Sequence, residues 1–430
     1  MLDHKIQILK SGLRIITVPM DSVQSLTVMA LSNTGSRYES PKQYGIAHFF
    51  EHIVFKGTNK YPTAQDLAEA VDSVGANFNA FTGKEYTGYH VQVASKHFEL
   101  ALDVVSDMLL TPKLRQEDID REKGVIIEEM NMYADMPKAH ISNLFEQMIF
   151  KGNGLSHDII GSKKTVSNIT SADFEEFLNT WYGMDNLIVV VAGERAVVEK
   201  PATLELIEKM FSKVKDRKSE PTHPVIDRVL SGEKFLLHAK KTEQIHFTFG
   251  WPGIQRKSGE RYAMMLLNAI VGGNMSSRLF SEIREKRGLC YYVYSEVRQF
   301  HEGGLFGASA GVDPNRVEEA IEASLAEFTK ISAGKKPITN AELKRAKDYV
   351  VGKMILGLED SESVAQFFGL RQLLHGQIES PSEAIEKMKA VTLAQVQTLA
   401  KKLIKKGELR FALIGNPQNK AKIKEIINKY

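Results

Sequence analysis

Two histidines and a glutamate lie within five positions of one another in the segment GIAHFFEHIVFKGT, residues 45–58. On a helix, which turns about 100° per residue, His48 and His52 lie one turn apart and Glu51 falls within the same arc. Two imidazoles at this spacing can supply two nitrogen ligands to one Zn²⁺, and the glutamate can reach a water beside the metal. This H-x-x-E-H pattern, the reverse of H-E-x-x-H, predicts a metal site.

A third metal ligand must come from another element, because a catalytic zinc commonly has three protein ligands. The acidic helix predicted over residues 116–133 offers Glu122, Glu128 and Glu129. Glu122 and Glu129 are seven residues apart and share one helical face, whereas Glu128 points elsewhere. One of the pair can bind the metal while the other orients a histidine, and the residues alone leave this assignment open. The ligand types suit zinc best without excluding another divalent ion.

Hydrophobic periodicity predicts the elements that position these residues. LRIITVP, SLTVMALSN, NFNAFTG, EYTGYHVQVAS and LIVVVAG have the composition of strands. Residues 44–55 and the segment TAQDLAEAVDSVG have helical periodicity, and Thr63 is the expected N-cap of the second helix. We therefore expect an α+β fold with a mixed or antiparallel sheet and helices packed on it.

The second half of the chain repeats this order at an offset of roughly 220 residues. SLTVMALSN is matched by QIHFTFGWP, and LIVVVAG is matched by LRFALIG. The sequence predicts two duplicated domains, a metal-binding domain over residues 1–221 and a second domain over residues 222–430. Between them, the polar segment KDRKSEPTHPVIDRVLSGEK carries two prolines, which is typical of an exposed linker.

The duplication provides an internal control for the five polar residues. In the order His48, Glu51, His52, Glu122 and Glu129, the second half has Met265, Asn268, Ala269, Ala346 and Lys353. The same fold positions are therefore occupied without histidine or glutamate, so packing does not demand these side chains. The alternative, two hydrogen-bonded core histidines near a solvated acidic face, does not explain why all five are lost together.

These motifs and the duplication resemble the inverzincin peptidases of the pitrilysin type over essentially the whole chain. The length is similar to the short processing-peptidase branch, whose mitochondrial members remove presequences and whose bacterial relatives degrade peptides. The resemblance implies that His48, His52 and Glu129 bind one zinc ion per chain. It further implies that Glu51 is the general base and that Glu122 supports the site as part of the catalytic machinery.

Two further segments resemble the substrate-binding parts of that family. In SSRLFSEIREKRGLCYYVYS, Arg284 and Tyr291 match residues that contact the substrate backbone, and Tyr291 would also stabilise the oxyanion. GANFNAFTG resembles an edge strand on which Asn79 and Ala80 contact a bound peptide by β-strand addition. Such pairing recognises backbone more than side chains, which implies broad specificity for extended peptides.

Composition and charge exclude several other classes of function. The net charge is only +3, from 56 basic and 53 acidic residues, so we expect neither nucleic acid nor an anionic membrane as a partner. No apolar run approaches the roughly 18 residues of a membrane span, and the first residues lack a signal-type apolar core, so a cytoplasmic location is expected. The single cysteine, Cys290, excludes an intrachain disulfide and a cysteine-based metal cluster.

The expected function is therefore that of a zinc metalloendopeptidase acting on short unfolded peptides. A narrower alternative is a peptidase that matures one specific precursor. A third is a non-catalytic core or assembly subunit, as in relatives that lost the zinc motif. The resemblance also implies a homodimer in which each site is completed by the partner's Arg284 and the partner's Tyr291, with a heterodimer containing a related chain as the other arrangement.

Overall fold

The computed structural model describes residues 2–211 and 233–430. The predicted boundary at residues 221 and 222, and all but the last two residues of the predicted linker, lie outside the described residues. The described residues form two compact units. The first comprises residues 2–130, 157–211 and 355–382, and the second comprises residues 131–156, 233–354 and 383–430.

The first unit is built on a six-stranded sheet. Its strands are β1 (Lys5–Ile8), β2 (Arg14–Met20), β3 (Ser25–Ser32), β4 (Asn77–Thr82), β5 (Thr87–Ala94) and β6 (Leu187–Glu194). The order across the sheet is β1-β2-β6-β3-β5-β4, with β2 and β6 parallel and the other neighbours antiparallel. β4 is consequently an edge strand.

The second unit repeats this arrangement with five strands. They are β7 (Phe235–His238), β8 (Ile245–Pro252), β9 (Cys290–Gln299), β10 (Gly304–Val312) and β11 (Arg410–Ile414). The order is β7-β11-β8-β10-β9, again with one parallel pair, β7 and β11. The matching strand order confirms the predicted duplication and the α+β fold class.

Sixteen α-helices are formed by the described residues. They are α1 (Ile46–Ile53), α2 (Ala64–Asp72), α3 (Phe98–Leu110), α4 (Gln116–Asp135), α5 (Pro137–Ile149), α6 (Lys163–Asn168), α7 (Ser171–Trp181), α8 (Arg195–Val198), α9 (Pro201–Phe211), α10 (Arg261–Val271), α11 (Val317–Ser332), α12 (Asn340–Gly357), α13 (Ser361–His375), α14 (Pro381–Ala390), α15 (Leu393–Leu403) and α16 (Lys420–Lys429). Within residues 2–211 and 233–430, none of these helices is both long and apolar enough to cross a bilayer.

Local sequence signals account for the helices nearest the site. α2 begins after Thr63, whose side chain accepts from the backbone N–H of Asp66 while the Asp66 carboxylate accepts from the N–H of Thr63. This reciprocal capping box confirms the predicted N-cap. The acidic helix predicted to end at residue 133 continues to Asp135, and the helix predicted over residues 44–55 is α1, over residues 46–53.

Each sheet is covered on one face by a helix from the other half of the sequence. In the first unit, α1 and α3 pack on one face, and α13 packs on β3 and β6 of the opposite face. Gly369 of α13 allows close approach, because a Cβ there would collide with Leu31 and Val190. In the second unit, α5 packs on β8 and β11 in the equivalent way. Local periodicity did not predict this exchange of helices.

Candidate metal centre

Helix α1 is amphipathic, and its apolar face determines where the polar residues point. Phe49, Phe50 and the other apolar residues of α1 are buried in the core of the first unit. His48, Glu51 and His52 lie on the opposite side and are partly exposed. The two imidazole rings are 4.8 Å apart between centroids, as expected for residues one turn apart.

The start of α1 is held by a buried carboxyl group. Glu39 accepts hydrogen bonds from the backbone N–H groups of Gly45, at 2.7 Å, and Ala47, at 2.8 Å. Burial raises the pKa of Glu39 to about 8, although these two hydrogen bonds oppose the shift. Gly45 has φ of 99°, and a Cβ there would lie 2.6 Å from the carbonyl oxygen of Ile160, so glycine is needed. These contacts set the position of the helix that carries the histidines.

Glu129 of α4 meets both histidines. One ligand atom each from His48, His52 and Glu129 lies within 4.8 Å of the others. Glu129 Oε2 is 3.4 Å from His52 Nε2 and 3.7 Å from His48 Nε2. This oxygen is buried and has no hydrogen-bond partner of good geometry among the described residues. Two imidazoles and a carboxylate are a catalytic zinc donor set, so the residues present fit that ion.

The two histidines have opposite electrostatic surroundings. Burial, together with the neighbouring His52, lowers the pKa of His48 to about 4 despite the attraction of Glu129. Burial also acts to lower the pKa of His52, but contacts with Glu122 and Glu129 outweigh it and raise that pKa to about 9. An imidazolium between two carboxylates marks a point where positive charge is stabilised, and a metal ligated by His52 would take the place of that proton.

Glu122 lies behind His52 and not beside the converging atoms. Its side chain is only 6% exposed, and its Oε1 is 3.0 Å from His52 Nδ1. Burial tends to raise the pKa of Glu122, but the contacts with His52 and Lys56 outweigh burial and lower it. A carboxylate on the far ring nitrogen orients the imidazole and directs Nε2 toward Glu129. The residues alone left the roles of Glu122 and Glu129 interchangeable. The geometry gives the two side chains different positions.

Glu51 is held by a residue of the edge strand. Thr82, the last residue of β4, donates from Oγ1 to Glu51 Oε2 at 2.5 Å. This bond occupies one oxygen of the carboxylate. Burial raises the pKa of Glu51, and the hydrogen bond from Thr82 partly offsets the shift. Thr82 therefore fixes the orientation of the side chain that we expect to act as general base.

We expect Thr82→Val to lower kcat roughly tenfold, because a hydrogen bond to a charged group is lost at an otherwise unchanged shape. Thr82→Ser retains the hydroxyl and should keep at least about a third of the wild-type kcat. Steady-state cleavage of one peptide by both variants, with zinc content measured in parallel, provides the check. Equal kcat values for the valine and serine variants would contradict this role for Thr82.

Among the described residues, no strand pairs with the outward edge of β4. Gly83 donates to Tyr86 at the hairpin turn, and hydrogen-bonded pairs then alternate along β4 and β5. This alternation directs the backbone N–H and C=O groups of Ala80 away from β5. Asn79 is exposed, and its Oδ1 accepts from the N–H of Ala80 at 2.9 Å. Both predicted peptide-contact residues therefore lie on an edge that no other described strand covers, and their role in binding stays a prediction.

Arg284 and Tyr291 belong to the second unit. Arg284 lies in a π-helical segment, Phe280–Lys286, and its guanidinium is 4.8 Å from the ring of Phe280 and 5.9 Å from that of Tyr291. Tyr291, near the start of β9, is 75% exposed. Departures from regular α-helix often occur at functional sites. The two side chains lie beside each other, and their action on substrate stays a prediction.

Three residues that contact the site were not predicted from the sequence: Glu39, Lys56 and Thr82. Lys56 could have been found, because it lies one helical turn beyond His52 in the same motif segment. No local signal pointed to Thr82 or Glu39. Thr82 contacts Glu51, which is 31 positions away along the chain, and Glu39 contacts Gly45, which is 6 positions away.

The comparison with known sequences identifies the family. The model described as Insulinase (Peptidase family M16) matches residues 15–163, and that described as Peptidase M16 inactive domain matches residues 168–350. An uncharacterized zinc protease of Streptomyces coelicolor is 36% identical over 401 residues, 92% of this chain and 86% of that protein. The uncharacterized zinc protease YmxG of Bacillus subtilis is 31% identical over 397 residues, 92% of this chain and 94% of that protein. The chain belongs to the M16 peptidase family.

Solved structures show that the M16 fold is shared. A protease from Helicobacter pylori matches with a TM-score of 0.87 at 23% sequence identity, and the match covers 96% of this chain and 100% of that protein's chain. A peptidase M16 inactive domain from Pseudomonas fluorescens has the same TM-score at 18% sequence identity. That match covers 97% of this chain and 98% of the other chain. The M16 peptidase model covers the half that carries the H-x-x-E-H pattern, and the inactive-domain model covers Met265, Ala269 and Ala346.

Proposed function

We propose that this chain is a zinc metalloendopeptidase that hydrolyses peptide bonds in short unfolded peptides. The convergence of His48, His52 and Glu129 within 4.8 Å carries the proposal, because these side chains come from two elements and form a zinc donor set. The names of the M16 relatives from Streptomyces and Bacillus, which are called zinc proteases, support it. The proposed stoichiometry is one zinc ion per chain, held by these three residues.

The chain's own residues would carry out the proton transfers. When bound, zinc would make a water more acidic and polarise the peptide carbonyl. Thr82 holds Oε2 of Glu51, which leaves Oε1 to accept a proton from the attacking water and return it to the leaving amine nitrogen. Glu122 keeps the ring of His52 in position throughout. Tyr291 is proposed to stabilise the oxyanion, and Arg284 to hold the substrate chain.

Substrate recognition by the edge of β4 would favour extended backbones over particular side chains. A folded protein rarely presents such a strand, so unfolded peptides are the expected substrates. The alternatives are maturation of a single precursor and a non-catalytic subunit. The complete ligand set in the first unit, together with Glu51 and its Thr82 contact, favours catalysis over the non-catalytic alternative.

Digestion of a mixture of unrelated, unstructured peptides, followed by mass spectrometry, tests this proposal. We expect cuts in several peptides, loss of all cuts after zinc is removed with a chelator, and recovery when one equivalent of zinc is returned. Cleavage of one peptide at one bond would favour maturation of a specific precursor. If the zinc-loaded protein cuts none of the peptides, that result contradicts the proposed peptidase activity.

We propose further that the active form is a homodimer in which the partner's Arg284 and the partner's Tyr291 complete each site. A heterodimer with a related chain is the alternative. Both the metal-binding residues and the Arg284 and Tyr291 pair are present in this one chain, which favours a homodimer. Such an assembly can be tested by complementation, because the two sets of residues can be inactivated separately.

Mixing inactive Glu51→Gln protein with inactive Tyr291→Phe protein, after dissociation and reassembly, should restore about a quarter of the wild-type activity. Half of the randomly formed dimers are mixed, and each mixed dimer has one intact site if sites are completed in trans. The measurement is the rate of peptide cleavage, with each variant alone as control. No recovery from mixtures shown to contain mixed dimers would contradict completion in trans.

A further inference from the structure

Glu122 is a buried carboxylate with two basic neighbours. Its Oε1 is 3.0 Å from His52 Nδ1, and its Oε2 is 2.7 Å from the ammonium nitrogen of Lys56. The side chain of Lys56 is 32% exposed and that of Glu122 only 6%. A buried carboxylate is costly unless it is paired with a cation and hydrogen-bonded. Lys56 and His52 together meet this requirement.

His52 cannot supply the balancing charge while it ligates a metal, because a ligating imidazole is neutral. In that state its Nδ1–H still donates to Glu122, but among the described residues that contact Glu122 only Lys56, through its ammonium, carries a full positive charge. The ion pair with Lys56 therefore holds the Glu122 carboxylate turned toward the ring of His52. Loss of the ammonium would leave the carboxylate free to rotate.

The backbone around Lys56 is tied to the segment that leads into α4. Arg115 donates from Nη2 to the carbonyl oxygen of Lys56 at 3.2 Å and is paired through Nε with Asp118. The N–H of Lys113 donates to the carbonyl oxygen of Gly57 at 2.9 Å. These contacts join the end of the histidine-bearing segment to the helix that carries Glu122. The distance between Lys56 and Glu122 is thus set by the backbone as well as by the two side chains.

The duplicated half lacks both members of the pair. At the offset of 217 residues that aligns His48 with Met265, Lys56 falls on Gly273. At the offset of 224 residues that aligns Glu129 with Lys353, Glu122 falls on Ala346. Ala346 is buried, as Glu122 is. The lysine is absent where its carboxylate and the histidines are absent, which is the pattern expected of a residue that serves the metal site.

We propose that Lys56 is a positioning residue of the metal centre, which acts through Glu122 to hold the ring of His52 with Nε2 directed at the metal. This inference rests on the proposed zinc site. Its direct consequence is on zinc affinity, which can be measured without any substrate.

Zinc dissociation constants, measured by competition with a chelating dye, provide the test. We expect Lys56→Met to weaken zinc binding about tenfold, the lower end of the range for groups that orient a ligand. Lys56→Arg, which keeps the charge, should stay within about threefold of wild type. Lys60→Met is the matched control, because Lys60 is a mostly exposed lysine paired with Asp103 and not with Glu122.

A double-mutant cycle with Glu122→Gln separates positioning from a general structural role. We expect Lys56→Met to have no further effect on zinc affinity in the Glu122→Gln background. Equal effects in both backgrounds would overturn the inference, as would a Lys56→Met protein that binds zinc as tightly as Lys60→Met. Melting temperatures of the metal-free variants show whether each one folds, and Lys56→Gln provides a second neutral side chain if Lys56→Met does not.

The same titrations distinguish this inference from the proposed function. If wild type binds no zinc, or binds it equally well after His48→Ala, the zinc site itself is wrong. If His48→Ala abolishes binding but Lys56→Met does not weaken it, only the role of Lys56 is wrong.

Discussion

Replacing Glu51 with glutamine should lower kcat for peptide cleavage by about 10² to 10⁴-fold, the usual contribution of a general acid–base residue. Glutamine has nearly the same shape, and its side-chain oxygen can still accept the hydrogen bond from Thr82. It cannot accept a proton from water and return it to an amine. Glu51 is not among the converging ligand atoms, so zinc should remain bound.

Single-turnover cleavage and metal analysis of the same Glu51→Gln preparation check this prediction. Glu128→Gln is the matched control, since Glu128 is an exposed glutamate of α4 outside the metal-ligating group. We expect it to retain wild-type kcat. A Glu51→Gln protein that holds zinc and cleaves at the wild-type rate would show that another group acts as general base.

Replacing His48 with alanine should weaken zinc binding by more than about 100-fold, because the loss of a direct ligand exceeds the usual cost of losing an orienting group. The metal-free protein should still fold. His48 Nδ1 has no hydrogen-bond partner among the described residues, and the duplicated half has Met265 at the same position. Activity at zinc concentrations that saturate the wild type should be lost together with the metal.

Thermal unfolding with and without zinc provides a readout of His48→Ala that is independent of peptide cleavage. For the wild type, zinc at about 1,000 times its dissociation constant adds about 4 kcal/mol to the free energy of unfolding. The alanine variant should show almost none of this stabilisation at the same zinc concentration. His301→Ala, which removes a half-exposed histidine of the second unit, should respond to zinc as the wild type does. If zinc stabilises His48→Ala and the wild type equally, zinc binds at another site.

Much of the fold and part of the site follow from local patterns. Strand composition predicted β2 to β6, the repeat predicted β8 and β11, helical periodicity predicted α1, α2 and α4, and Thr63 predicted the start of α2. The i, i+4 spacing of His48 and His52 required their rings to be neighbours once the segment was helical. These inferences succeed because a helix or strand directs side chains according to their separation along the chain.

Contacts between elements far apart in the sequence could not be predicted in this way. The repeated order of elements predicted one domain for residues 1–221 and one for residues 222–430, whereas α5 packs on the sheet of the second unit and α13 on that of the first. An amphipathic helix can bury its apolar face on any sheet of suitable shape, so its periodicity does not predict which sheet it packs on.

Residue types and their spacing specify the chemistry available to this protein: two imidazoles and a glutamate on one turn of helix, and two carboxylates on one face of another. Which atoms meet depends on how the elements pack. The tertiary structure placed Glu129 against both histidines, Glu122 behind His52 beside Lys56, and Thr82 on Glu51. Helical period fixes directions within an element, whereas the meeting of two elements depends on how their buried faces pack together.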